Sequence, residues 1–547
     1  MDTIKIGKNV IENLTTGMYE DSKVIYREYI QNAADQIDKA LQMGLYQDEK
    51  PYIDISIDVP NRKVRITDNA NGIKKADVAK KLGNIADSDK KKGIDKGFRG
   101  IGRLGGLAYC DTLKFITSYK GEDTKTIMTW DAKECIRLID DYTIKYSAQE
   151  ILTKVITYEE EECDVDKHFF SVELNNILAE NNELLEIDKI SKYISSNAPV
   201  PYNNKFIYRN KIYEYLTNNG LKIDEYKIHV DDEDVLKNYS TILYESSNQN
   251  GVNHKKKFDE IYGIQFKEFR NSKSELLAWM WFGISTFDKV IPETTNEMRG
   301  IRLRKENIQI GTSNTLTKLF KEPRGNFYFI GEVNAMHREL IPNARRDYFN
   351  RNETLNEFEA ELKYYFEDTL TRLYYDASKA KIAFRRKYEL LSKRAEYSKK
   401  LENGFIDDKE KEKLESVIEV ARKESEKGKN NLDKLENKSD DNDVLKKVLD
   451  IIKKKSNTMI KNSDFTIEQK LKKSNVKKLL GEPHNKPIGE PRNKPQNKST
   501  YLAEGLNRLN GKQQKLVSKI YGIINEMLPP DLSNNLINKI QKELNKK

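Results

Sequence analysis

The sequence predicts an α/β protein, two α/β regions followed by a helical C-terminal region, and three observations carry that expectation. Residues 22–43 place Ile30, Ala34, Ile37 and Leu41 at three-to-four spacing, the pattern of a helix with one buried face, and Asp21 or Ser22 can cap it. Ile53, Ile55, Ile57 and Val59 then alternate with Asp54, Ser56 and Asp58, and KVRIT resumes the alternation after Pro60-Asn61, which reads as strand, tight turn and strand. Beyond Asn352 the character changes to long charged runs in which Leu355, Phe358, Leu362, Tyr365, Phe366, Leu370 and Leu373 recur at helical spacing.

Between these landmarks a short helix from Ala76 leads into a Gly- and Lys-rich stretch, and TLKFITS and TKTIMTW are strand-like. LLAWMWFGIST, GIRLRKENIQIG and FYFIGEV belong to a second α/β stretch. Asn403-Gly404 and Asp407-Asp408 mark a helical tip, a stop followed by caps for a returning helix. GEPxNKP repeats at Gly481 and Gly489 with prolines that forbid helix. The expected division is 1–198 and 199–352 as two α/β domains, 353–480 as a helical arm for which a coiled coil is open, 481–499 as a linker, and 500–547 as a basic helical segment broken at Pro529-Pro530.

A chain of 547 residues has room for several domains, and 33% charged with 37% apolar residues is too hydrophilic for a membrane protein. The N-terminus lacks the basic start and apolar block of a signal peptide, so a cytoplasmic location without a membrane partner is expected. Cys110, Cys135 and Cys163 have no CxxC pairing and are expected to be buried, reduced thiols. The five histidines are scattered, with no metal spacing; His337, a few residues before Asn343, could touch a site there, but a lone His is more often structural or exposed. The net charge of +9 resides in the tail: residues 451–547 hold 21 Lys/Arg against 8 Asp/Glu. Such a tail either follows phosphate backbones or is a solvated surface.

Three groups of residues point to chemistry. On the first helix Glu28, Asn32 and Asp35 stand at i, i+4 and i+7, so they share one face opposite the apolar stripe. A carboxylate there can polarise a water, and an Asn amide oxygen is a hard ligand suited to magnesium. Asp68 ends the strand KVRIT at the turn Asp68-Asn69-Ala70-Asn71-Gly72, where a carboxylate can accept a hydrogen bond from an adenine amino group. Further on, Gly97-Phe98-Arg99-Gly100-Ile101-Gly102 lets backbone N–H groups approach phosphate oxygens.

In that order and spacing, REYIQNAADQIDKA resembles the N-box of GHKL ATPases and DNANGI their adenine-binding turn. LGNIADS is similar to the segment that follows in HtpG-type chaperones, and GFRGIGRLGGL to the phosphate loop of chaperones and MutL-type proteins. The resemblance implies a GHKL (Bergerat) α/β sandwich that binds ATP and Mg. It makes Glu28 the general base, Asn32 the magnesium ligand, Asp68 the adenine reader, and Gly97, Gly100 and Gly102 the phosphate cradle, with Asp35, Gly72, Arg99 and Ile101 beside the nucleotide. Two positions depart: Ala70 stands where the family's adenine turn has a Gly, and Ser171 in FSVEL falls where relatives carry Gly-Thr near the adenine.

FYFIGEVNAMHRELIPNARRDYFN is similar to the catalytic-loop region of the HtpG middle domain, with Asn343, Arg346 and Asn350 at its polar positions. By that likeness Arg346 reaches the γ-phosphate, a task suited to paired guanidinium donors. Arg302 and Arg304 are fallback candidates, although alternating hairpin positions more often face solvent. The resemblance covers residues 10–350. It implies a conformational ATPase that dimerises with ATP and acts on a protein client or, as in MutL and MORC-like ATPases, a nucleic acid; the alternative is a nucleotide-sensing scaffold with little turnover, for example in a bacterial defence assembly.

Overall fold

The computed structural model describes residues 6–14, 21–46, 49–84, 102–249, 252–464, 506 and 509–544. They belong to two compact units, Met1–Arg372 and Leu373–Lys547.

The first unit begins with helix α1 (Asn9–Leu14) and helix α2 (Val24–Gln42), then strands β1 (Ile53–Asp58) and β2 (Lys63–Asp68). Helix α3 (Lys75–Gly83), strands β3 (Cys110–Ser118) and β4 (Thr124–Asp131), and helices α4 (Ala132–Asp140) and α5 (Ala148–Val155) follow. Strands β5 (Ile156–Glu162) and β6 (Phe169–Ile177), helices α6 (Ile187–Asn197) and α7 (Arg209–Asn218), and the short strands β7 (Ile228–Val230) and β8 (Glu233–Asp234) complete this part. The eight strands form one sheet in the order β5-β4-β3-β6-β2-β1-β7-β8. All neighbours are antiparallel except β1 and β7.

The β1 alternation works as expected: Ile53, Ile55 and Ile57 are buried while Asp54, Ser56 and Asp58 turn outward. One core joins these isoleucines to Ile25, Ile30, Ala34 and Ile37 of α2. Because β7 pairs with β1, the sheet takes in residues well past 198. Its two borders are acidic: Glu159–Glu162 of β5 and Glu233–Asp234 of β8 are all exposed.

Two local expectations for α2 fail. Leu41 is 51% exposed, because the core contacts end at Ala40 and the helix stops one residue beyond Leu41. Neither Asp21 nor Ser22 caps the helix. Lys23 holds that position, Asp21 accepts from the Lys23 N–H, and the Ser22 hydroxyl donates to Glu183 instead. Cys110 and Cys135 are buried, with burial pushing the Cys135 thiol up to about 11, whereas Cys163 is only half-buried.

The same unit continues with a two-stranded ribbon, β9 (Ile242–Gln249) and β10 (Val252–Glu260). Strands β11 (Gly263–Arg270), β12 (Leu276–Ile284), β13 (Gly300–Lys305), β14 (Ile308–Gln309) and β15 (Ile330–Ala335) form a second sheet in the order β11-β12-β15-β13-β14. Strand β13 runs parallel to β15 and turns back at Glu306-Asn307 into β14. Tyr202, Phe206, Tyr239, Trp279 and Trp281 fill the core beside it. Helix α8 (Glu353–Tyr364), capped by Asn352, buries Leu355, Phe358 and Leu362.

In the second unit α9 (Thr371–Asn403) stops at Gly404, whose φ is +95°, and Asp407 caps α10 (Asp408–Ser439) by accepting from the Glu410 N–H. Helices α11 (Asp443–Asp464), α12 (Gly511–Met527) and α13 (Pro530–Leu544) follow. The proposed linker 481–499 lies outside the described residues. Among the described residues no helix is long and apolar enough to cross a membrane.

Candidate active site

Helix α2 presents the first part of the site. Glu28 is 12% exposed at its side chain, Asn32 is half-buried and Asp35 is 4% exposed, so the polar stripe faces into the protein rather than solvent. Gly102 of the glycine loop lies against it: a Cβ built there would stand 2.5 Å from Glu28 Oε2. A side chain there would have to push the Glu28 carboxylate aside. Tyr29 ties the turn down, its hydroxyl donating to the Arg103 carbonyl at 3.1 Å and accepting from the Gly106 N–H at 3.1 Å. Gly97, Arg99, Gly100 and Ile101 lie outside the described residues.

Asp68 forms the second part. It ends β2 on the core face, 2% exposed, and accepts a hydrogen bond from the Ala70 N–H at 3.0 Å. Burial pushes its pKa up to about 7, against the smaller opposing effect of that N–H. Beside it the Tyr46 hydroxyl is buried with no hydrogen-bond partner among the described residues, and burial followed by the Asp68 charge pushes its pKa up. An acceptor and an orphaned hydroxyl in one place are what an adenine edge would satisfy. Gly72 shapes the turn: its φ is +66°, and a Cβ would overlap the Ser118 carbonyl. Ala70 is fully buried, with its carbonyl 2.8 Å from His168 Nδ1.

Ser171 is elsewhere. It pairs with Thr67 across β2 and β6, and the two hydroxyls lie 2.8 Å apart. Side chains alternate along a strand, so this pair occupies the face opposite Asp68, whose own cross-strand partner is Phe170. The buried hydroxyl on the Asp68 face is Thr117, paired with Phe170, accepting from the Ile73 N–H and donating to the Phe169 carbonyl.

Arg346 is the third part. Residues 341–350 fold back on themselves, with the Asn350 N–H donating to Ile341 O and the Asn343 N–H to Tyr348 O. Arg346 sits at the bend with φ +55° and is 6% exposed; its carbonyl accepts from the Gly311 N–H at 2.8 Å. Burial pulls its pKa below the ordinary value, and the Glu28 carboxylate is the largest charge working the other way. Glu28 thus lies within electrostatic reach of Arg346 in the same unit. Asn350 contributes the backbone bond that closes the loop.

Arg27, which the sequence pattern did not single out, joins these parts. Its Nη2 donates to Glu28 Oε1 at 3.1 Å and to the Arg345 carbonyl at 3.3 Å. Its only signal in the sequence is adjacency to Glu28. Arg302 and Arg304 do not face solvent as their alternation suggested. They are 6% and 0% exposed, because β13 is covered on both faces, and Arg304 pairs with Glu332 at 2.5 Å. Removing one partner of such a pair costs roughly 3–5 kcal/mol, which makes Arg304 structural, while Arg302 donates to Gln309 Oε1 at 2.8 Å. His337 lies 3.5 Å from Glu275.

Comparison with known proteins bears on the first part. Residues 20–163 match the sequence profile described as Histidine kinase-, DNA gyrase B-, and HSP90-like ATPase. The chain is similar to the chaperone protein HtpG of Clostridium acetobutylicum, 27% identical over 178 residues that cover 29% of this chain and 28% of that protein. It is similar to the HtpG of Bacillus licheniformis, 29% identical over 189 residues (31% and 29%), and to that of Psychrobacter cryohalolentis, 29% over 136 residues (21% and 20%). The chain thus spans under a third of the length of these relatives. With motif order, buried acceptor and matched profile in agreement, the N-terminal part of this chain is an HtpG-like ATPase domain of the GHKL superfamily.

Proposed function

We propose that the protein binds and hydrolyses ATP and uses the cycle to change its shape and its association with a second copy. The observation that carries this is the bridge by which Arg27 joins Glu28, at 3.1 Å, to the Arg345 carbonyl, at 3.3 Å, next to Arg346 in the second α/β part, whose guanidinium feels the Glu28 charge. A carboxylate beside a bound γ-phosphate is placed to take the proton of an attacking water, and a buried guanidinium beside it is placed to neutralise charge on the transferred phosphate. Asp68 and Tyr46 hold the adenine; Gly72 and Gly102 allow the close backbone approaches, with Gly97, Arg99, Gly100 and Ile101 completing the phosphate cradle. Asp35 and Asn350 frame the pocket, and Ser171 acts only through the sheet behind it.

Magnesium fits this donor set. Among the described residues no three His, Cys, Asp or Glu side chains group as a metal cage, and an ion that takes most of its ligands from phosphates and water needs little beyond the Asn32 amide oxygen. When bound, it would neutralise phosphate charge.

One observation favours the second reading, a nucleotide sensor that turns over slowly: Arg27 already engages Glu28 Oε1 at 3.1 Å, so a guanidinium occupies the carboxylate oxygen that a water would need. The test is ATP turnover by the full chain, alone and with DNA, RNA or an unfolded protein, beside Glu28→Ala. The ATPase reading expects turnover that Glu28→Ala removes while ATP still binds; the stimulating additive identifies the client. Binding without turnover under every addition would favour the sensor, and loss of binding in Glu28→Ala would remove its assignment as base.

A further inference from the structure

The second sheet contains a fully buried ion network that the nucleotide site does not use. Glu332 on β15 accepts from Arg304 Nε at 2.5 Å, Lys237 Nζ at 3.1 Å, and the hydroxyls of Tyr202 at 2.6 Å and Tyr239 at 3.3 Å. Arg304, Lys237 and Glu332 have no exposure to water. Burial alone would raise the Glu332 pKa, but Arg304 and then Lys237 hold it below the usual carboxylate range. Apolar side chains of the same volume would fill this space at no electrostatic cost, so a network of this kind is poor evidence for stability and is better explained by the single geometry it enforces.

That geometry is the β13–β14 turn. Asn307 has φ +60° and is 2% exposed. Its Oδ1 accepts from Lys237 Nζ at 2.6 Å, its Nδ2 donates to the Asp224 carbonyl at 2.6 Å, and its own carbonyl accepts from Arg304 Nη1 at 3.1 Å. Arg302, two residues back on β13, holds the outgoing strand through Gln309 Oε1 at 2.8 Å. Gln309 Nε2 in turn donates to the Gly311 carbonyl at 3.1 Å. Gly311, with φ +66°, ends the path by donating its N–H to the Arg346 carbonyl at 2.8 Å, and a Cβ on it would stand 2.6 Å from the Asp347 carbonyl. The other end of the network reaches helix α6, where Arg304 Nη2 donates to Ser196 O at 2.9 Å.

We propose that the Arg304–Glu332–Lys237 network and Asn307 position Arg346: they pin the β13–β14 turn, and β14 sets the loop that carries the arginine toward Glu28. Asn307 is a positioning residue, since its side chain touches the network and not the nucleotide site. The proposal rests on Arg346 serving the nucleotide, as argued above.

Asn307→Gly is the test, because glycine accepts φ +60° without strain while losing both amide contacts. The expected result is a fall in kcat of about tenfold, the scale of a small misplacement of a catalytic group, with ATP affinity unchanged. Amide hydrogen exchange in 306–311 and 341–350 should rise, and in an Arg346→Ala background Asn307→Gly should cost no further activity. An equal loss of kcat with and without Arg346, or unchanged exchange in 341–350, would overturn the proposal. If the glycine variant does not fold, Asn307→Asp, which keeps the acceptor for Lys237 and loses the donor to Asp224, takes the same measurements. A wild-type chain without turnover would sink the ATPase reading alone, and the exchange in 341–350 would then decide this one.

Discussion

A carboxyl group as shielded from water as that of Asp68 gives up its proton only near pH 7, and an adenine amino group, a donor, binds the ionised form better. ATP affinity is therefore expected to rise between pH 6 and pH 8, measured by calorimetry. Asp68→Asn should bind weakly at every pH, because an amide presents a donor to a donor; an Asn variant with wild-type affinity would take Asp68 out of the pocket. Stability without ligand runs the other way. The folded pKa lies above the unfolded one, so this contribution is complete below about pH 4 and is lost as pH rises toward 7, by at most about 1.4 kcal/mol per unit. Relative to Asp68→Asn, the wild-type melting temperature should fall between pH 5 and pH 8. Asp68 was legible in the sequence because a strand pattern ended on it. Arg27 was not, since its second contact is 318 residues away, and the face Ser171 takes, opposite Asp68, follows from a strand register that no local pattern shows.

At the scale of elements, glycines mark where backbones must meet. Gly72→Ala should cost roughly 2 kcal/mol or more, since it meets both a left-handed φ and the Ser118 carbonyl, and a urea titration measures it. Gly121→Ala, at φ +93° but in open space, meets only the first problem and should cost less. Equal losses would mean that the β2 turn does not depend on the approach to Ser118. The β1–β2 hairpin was readable from alternation alone because one of its faces is buried. Strand β13 misled for the opposite reason: both its faces are covered, so its alternating arginines are buried, Arg302 on Gln309 and Arg304 on a glutamate 28 residues away that no local pattern announces.

For the whole molecule, the ATPase reading predicts a dimer favoured by ATP. Light scattering should show a larger species with a non-hydrolysable ATP analogue than with ADP, and a monomer with both would sink it. If the basic tail holds nucleic acid, affinity should drop steeply with salt, and removing residues 481–547 should abolish binding while leaving basal hydrolysis in place. Equal binding by the truncated chain would make the tail a solvated surface. The change from α/β to helical character was visible at Asn352, whereas the first sheet's reach to Asp234 was hidden by the two-residue strand that completes it. That sheet ends on carboxylates at both borders, Glu159–Glu162 on one side and Glu233–Asp234 on the other. A border strand offers unmet N–H and C=O groups to any passing chain, and a row of like charges repels an identical row. Zipping two eight-stranded sheets together border to border at neutral pH would stack acid upon acid, relieved where Lys75 and Lys125 meet Glu160 and Glu161 and Lys227 meets Asp234, so the borders disfavour that pairing.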